Sequence, residues 1–233
     1  MEQNLSNLIR PMSVVAQEAI NYISGRRDHS ITSLKTRWAK FNKQCMGGIE
    51  PNTVYTIAGI SGSGKSSFAN EISTDIVDLN PGEEIVILIF SLEMVGFRQV
   101  GRTLSSKLRK TTSTLYSSET DLDDDTFRKV VSVSNQLKEY PIWFVDNPTT
   151  PKEAEDIIKY FYNTYIKGTD KHFVIMYDHA LLTKPIGSVI ETMQELERVF
   201  ISAKKYPMTS VLQLAQMNRN IESPERINNP LSH

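Results

Sequence analysis

Apolar residues follow two alternating rhythms along most of this chain. Short, largely apolar runs at 54–58, 85–90, 142–145, 173–177 and 209–214 alternate with longer stretches at 66–78, 94–109, 123–138, 151–166 and 190–205. A continuous run such as Ile85-Val86-Ile87-Leu88-Ile89-Phe90 suits a strand covered on both faces. The longer stretches read as helices. Strands alternating with helices predict an α/β domain with a mostly parallel sheet flanked by helices.

Upstream the rhythm changes. Val14, Val15, Ala19, Ile20 and Ile23 fall at helical spacing, and Gly25 ends the pattern, which predicts a separate helix over 11–25. The turn-rich run Gly25-Arg26-Arg27-Asp28-His29-Ser30 reads as a linker. An amphipathic helix on a linker must bury its stripe in its own core or on a neighbouring subunit. A second short helix is expected over 33–46, closed by Gly47-Gly48. The chain therefore divides into a linker helix and turn, 1–30, and one large body, 31–233.

Composition narrows the class. An apolar fraction of 39% with 23% charged residues suits a soluble globular protein, and no run of about 18 apolar residues suggests a membrane span. The first ten residues lack a signal-peptide core. The single Cys45 cannot form an internal disulfide and reads as a buried structural thiol. These features point to the cytoplasm. A net charge of −1 means that any nucleic-acid contact must come from local basic loops.

The most specific local signal is Gly59-Ile60-Ser61-Gly62-Ser63-Gly64-Lys65-Ser66-Ser67, which satisfies G-x-x-x-x-G-K-[ST] between an expected strand and an expected helix. Glycines let the backbone N–H groups converge on phosphates, and the helix N-terminus adds positive charge. Lys65 suits the β- and γ-phosphates, and the Ser66 hydroxyl suits Mg²⁺. ATP and Mg²⁺ are the expected ligands. Hydrolysis needs a strand-end carboxylate for the metal, a group that orients water and a γ-phosphate sensor. Asp178 and Asp146 each end an apolar strand and are rivals for the first role. Glu93 follows the second strand, where it suits either water activation or a helix N-terminus. Gln216 follows the fifth strand, as a phosphate contact or an ordinary loop residue. The acidic cluster Asp121, Asp123, Asp124, Asp125 reads as helix capping in preference to a metal site. The four histidines show no ligand spacing.

In combination these residues resemble the DnaB-like bacterial and phage replicative DNA helicases, with their RecA-like P-loop NTPase motor core. Phe90-Ser91-Leu92-Glu93-Met94 is similar to that family's signature after its second core strand, and Arg102 falls where the family has an Arg. Ile175-Met176-Tyr177-Asp178-His179 resembles its Walker B segment, with His179 at a usual Tyr. Leu214-Ala215-Gln216-Met217-Asn218-Arg219 resembles its sensor segment, and Val145-Asp146-Asn147-Pro148 resembles a structural turn. The resemblance implies that Gly59, Ser61, Gly62, Ser63, Gly64, Lys65, Ser66, Ser67 and Arg102 bind the nucleotide and that Ser66 and Asp178 hold Mg²⁺. It implies that Glu93 is the catalytic base, assisted by Lys65, and that Gln216 couples the γ-phosphate to DNA loops. Those loops would carry Lys184, Arg219 and Arg226 and meet single-stranded DNA in a hexameric ring, with the linker helix docked on the next subunit. Primase and a helicase loader are further implied partners, in a bacterial or phage-infected cell.

Two parts of the family pattern are expected to be missing. One is the collar that precedes the linker. The other is the set of C-terminal strands, with the arginine finger that serves a neighbour's site. The chain alone is thus expected to bind ATP and hydrolyse it slowly, since such a finger is worth roughly 10³–10⁵ in rate. Two other functions fit the P-loop: a RecA-type recombinase-like DNA-dependent ATPase without unwinding, and a nucleotide-binding interaction module without turnover.

Overall fold

The computed structural model describes residues 9–119 and 121–217. Helix α1 (Met12–Arg27) and the short α2 (Ala39–Gln44) precede β1 (Val54–Gly59) and α3 (Lys65–Asp78). Then follow β2 (Ile85–Ser91), α4 (Gly96–Leu108), α5 (Thr112–Tyr116), α6 (Asp124–Leu137) and β3 (Ile142–Val145). The series ends with α7 (Pro151–Tyr165), β4 (His172–Asp178), α8 (Val189–Ala203) and β5 (Thr209–Gln216). All strand pairs are parallel, in the order β1-β5-β4-β2-β3.

The apolar runs are continuous because each central strand feeds two cores. Successive side chains of a strand point to opposite faces. Val86, Leu88 and Phe90 of β2, with Phe173, Ile175 and Tyr177 of β4, pack on Ile158 and Phe161 of α7 and Leu196 and Phe200 of α8. Ile85, Ile87 and Ile89, with Val174 and Met176, pack on Ile72 and Ile76 of α3. Every residue of β2 and β4 is buried.

Caps set the helix boundaries. Thr150 and Ser188 begin α7 and α8 with reciprocal capping boxes to Glu153 and Glu191. Asp123 caps α6 through the Thr126 N–H at 2.8 Å, so this member of the acidic cluster works as a cap.

The expected helix over 33–46 is confined to α2. Its first half is instead extended, with Leu34 and Ile49 exchanging N–H···O bonds of 3.0 and 2.8 Å in an isolated antiparallel bridge. Both side chains are fully buried beneath the sheet. The Arg37 N–H bonds Asp75 at 3.0 Å and the Thr36 N–H bonds the Asn42 side chain at 3.0 Å, so both donors are drawn away from a helical pattern. A Cβ on Gly48 would lie 2.1 Å from the Leu34 carbonyl oxygen, which explains the glycine at this crossing. Cys45 is only half-buried, not wholly buried as its pattern predicted, and burial raises its thiol pKa above the ordinary value.

Helix α1 leaves its stripe open: Val14, Val15, Ile20 and Ile23 are all exposed and only Gly25 is buried. Its C-terminal end is held. The Tyr22 hydroxyl donates to Glu50 at 2.6 Å, and burial together with that carboxylate pushes its pKa up to about 12. The Arg26 guanidinium donates to Ser33 Oγ at 2.9 Å and to the Met46 carbonyl at 2.5 Å. No helix among the described residues is long and apolar enough to cross a membrane.

Candidate active site

A cleft of about 260 Å³ opens at the carboxyl ends of the strands. Its floor is the turn between β1 and α3. Gly62 and Gly64 have φ of 83° and 87°, and a Cβ on either would meet nothing, so conformation and not space demands glycine there. Gly59 differs: a Cβ would stand 2.6 Å from Ser63 Oγ. Helix α3 starts at Lys65, so its first-turn N–H groups face the cleft as an anion site. Lys65 Nζ donates to the Ile60 carbonyl at 2.8 Å, which keeps its charge over the loop.

Parallel register brings the other candidates to the same place. Gln216 lies opposite Gly59, and the Met217 N–H donates to the Gly59 carbonyl at 3.0 Å. Asp178 lies opposite Ser91, and the Leu92 N–H donates to the Asp178 carbonyl at 2.8 Å. Glu93 therefore emerges beside the end of β4. The cleft is lined by Ser61, Gly62, Gly64, Lys65, Ser66 and Ser67 from the loop. Glu93, Arg102, Asp178 and Gln216 face them. Gly59 and Ser63 shape the loop from behind.

Asp178 is 7% exposed, and burial holds its carboxyl above the ordinary 3.8. The charge of Glu93 acts in the same direction, while Ser66, His179 and Arg102 oppose it. Its Oδ1 has no hydrogen-bond partner. A buried carboxylate oxygen without a donor, beside the Ser66 hydroxyl, is the donor set a hydrated hard cation requires. No group of three or more His, Cys, Asp or Glu among the described residues forms a metal cage. A cation here would thus depend on phosphate and water oxygens as well, as Mg²⁺ usually does.

The rival carboxylate is engaged elsewhere. Asp146 follows β3, the edge strand farthest from β1; its Oδ1 accepts from the N–H of Gly96, the first residue of α4, at 2.9 Å, and it does not line the cleft. Lys184 is exposed outside the cleft, with its backbone N–H bonded to the Thr149 carbonyl at 2.8 Å. Arg219 and Arg226 lie outside the described residues.

Met94, Gln99 and His179 also line the cleft. The signal for Gln99 was a polar residue on the inward face of α4, where Gly96, Thr103 and Ser105 are also buried. His179 is buried, and its Nδ1 lacks a partner.

Residues 33–232 match the family model of the DnaB-like helicase C terminal domain. No curated protein matches the chain. Among solved structures, the chain is similar to a DnaB-like replicative helicase described with its interactions with primase, at TM-score 0.70 and 16% identity over 88% of this chain and 49% of that one. It is also similar to a second solved structure, described as an ATPase domain, at TM-score 0.72 and 17% identity over 88% of this chain and 72% of that one. The chain thus spans about half the length of the first. At such identities the likeness establishes the fold, a RecA-like core.

Proposed function

This chain belongs to the DnaB-like helicase C-terminal domain family, and from that premise we propose that it is the ATP-hydrolysing motor of a replicative DNA helicase. The observation that carries this reading is the convergence of the phosphate loop, Glu93, Asp178 and Gln216 on one cleft. Backbone N–H groups of Gly62 and Gly64 and the first turn of α3, with the Lys65 ammonium, bind the phosphates. Ser66 and Asp178 hold hydrated Mg²⁺, which supplies positive charge to the phosphate oxygens. Glu93 orients and deprotonates the attacking water. Arg102 adds positive charge to the wall. Gln216 hydrogen-bonds the γ-phosphate and reports its loss to the segment after β5 that carries Arg219 and Arg226.

In this reading Lys184, Arg219 and Arg226 contact single-stranded DNA phosphates, without sequence preference and with strong salt dependence. The 1–30 segment docks on the next subunit of a homo-hexamer, and its stripe of exposed Val14, Ile20 and Ile23 favours that use. Primase and a loader are partners of the assembled ring.

The test is ATP hydrolysis by wild type and Glu93→Gln, with and without single-stranded DNA. The variant is expected to bind nucleotide normally and lose about 10²–10⁴ in rate, the usual worth of a general base. Equal rates would remove Glu93 from this role.

A further inference from the structure

A line of buried polar side chains runs from the cleft back through α4. Ser91, Gln99, Thr103 and Asn70 are 1%, 7%, 6% and 9% exposed. Polar groups are buried at a cost unless they are paired, and these are paired with one another. Gln99 Nε2 donates to Ser91 Oγ at 2.7 Å. The Ser91 hydroxyl in turn donates to the Met94 carbonyl, which closes the turn 91–94. One turn further along α4, the Thr103 hydroxyl donates to the Gln99 backbone carbonyl at 3.4 Å, and Asn70 Nδ2 donates to Thr103 Oγ1 at 3.0 Å. Asn70 belongs to α3, the helix that rises from the phosphate loop.

Glu93 sits in the middle of that turn and is itself exposed. The turn, not packing of its own side chain, determines where its carboxylate stands. We propose that Gln99 is a positioning residue for hydrolysis: by donating to Ser91 it fixes the turn that presents Glu93 to the attacking water. This rests on the reading of Glu93 as the base. The chemistry at position 99 is specific. Ser91 has one hydroxyl hydrogen, committed to Met94, so its partner must be a donor. Glutamate there has nearly the same shape but, when ionised, can only accept. Methionine fills similar space and does neither.

The experiment compares wild type, Glu93→Gln, Gln99→Met, Gln99→Glu and the double variant Glu93→Gln/Gln99→Met. Two affinities are measured, for ADP and for ADP with Mg²⁺ and aluminium fluoride, which mimics the phosphoryl group in transfer, alongside kcat. Gln99→Met is expected to keep ADP affinity within about twofold and lose roughly tenfold or more for the aluminium fluoride complex, because only that complex engages the transition-state geometry. Its kcat should fall by about 10²-fold, the cost of a misplacement near 1 Å. Gln99→Glu should fail at least as badly despite its shape. In the Glu93→Gln background the Gln99→Met loss should vanish, since two residues acting through one another are not additive. Should Gln99→Met not fold, Ser91→Ala severs the same link and is expected to show the same split.

Wild-type aluminium fluoride affinity and kcat in Gln99→Met would overturn the proposal, as would a loss undiminished in the double variant. If Glu93→Gln itself behaves as wild type, the base assignment fails and this inference with it. If Glu93→Gln behaves as expected and Gln99→Met does not, only Gln99 is excluded.

Discussion

At the scale of single residues, Asp178 is a cleft group whose burial opposes its charge. Asp178 shows the consequence for pH. Its native pKa is raised above 3.8, so ionising it costs stability in the empty protein. That group's contribution is most favourable below 3.8 and is lost as pH rises through the native value. Asp178→Asn is therefore expected to melt higher than wild type at neutral pH, by about 2–4 °C for each kcal/mol of relieved penalty. The gap should narrow as pH approaches 4, and Mg²⁺-dependent nucleotide binding should be lost; thermal melts across pH with a titration of Mg²⁺ and ADP check both. Residues bound to local motifs were the most legible. Gly59 to Ser67 form one unbroken sequence word, and Glu93 sits just beyond a strand end. Asp178 and Asp146 look alike in the sequence because each ends an apolar strand; the family resemblance favours Asp178, and strand order brings Asp178 and not Asp146 to the cleft. Gln99 had no word of its own, because its partner Ser91 is eight residues away and its role depends on the tertiary position of α4.

At the scale of elements, long apolar strands and capped helices could be read directly. Their boundaries agree with the periodicity to within a few residues, because the caps that end them are encoded beside them. Thr150→Ala and Ser188→Ala are each expected to cost about 1 kcal/mol, readable by denaturant titration, with no change in nucleotide affinity. The failure over 33–46 has the opposite cause. Leu34 is paired with Ile49 across a loop and Arg37 is bidentate to Asp75 on α3, so partners distant in sequence decide the backbone. Short α5 was missed for lack of length: five residues carry too little periodicity to register.

At the scale of the whole molecule, the sheet gathers the candidate chemistry at one edge while α1 stands apart with its apolar side chains in solvent. Replacing Ile20 and Ile23 with Ser is expected to leave the melting temperature within about 1 °C, since exposed positions contribute little to stability. If the helix docks on a second copy, the same change should lower the mass seen by light scattering in the presence of nucleotide. The clamp at the base of α1 adds a mechanical consequence. Tyr22 and Arg26 grip Glu50, Ser33 and Met46, and the chain from Glu50 runs within four residues into β1, whose far end is the phosphate loop. From Tyr22 to Met12 the helix extends about 15 Å, at 1.5 Å per residue. The helix is thus a cantilever with its fulcrum at the root of the phosphate-binding strand, and a sideways load on its tip becomes a torque on β1.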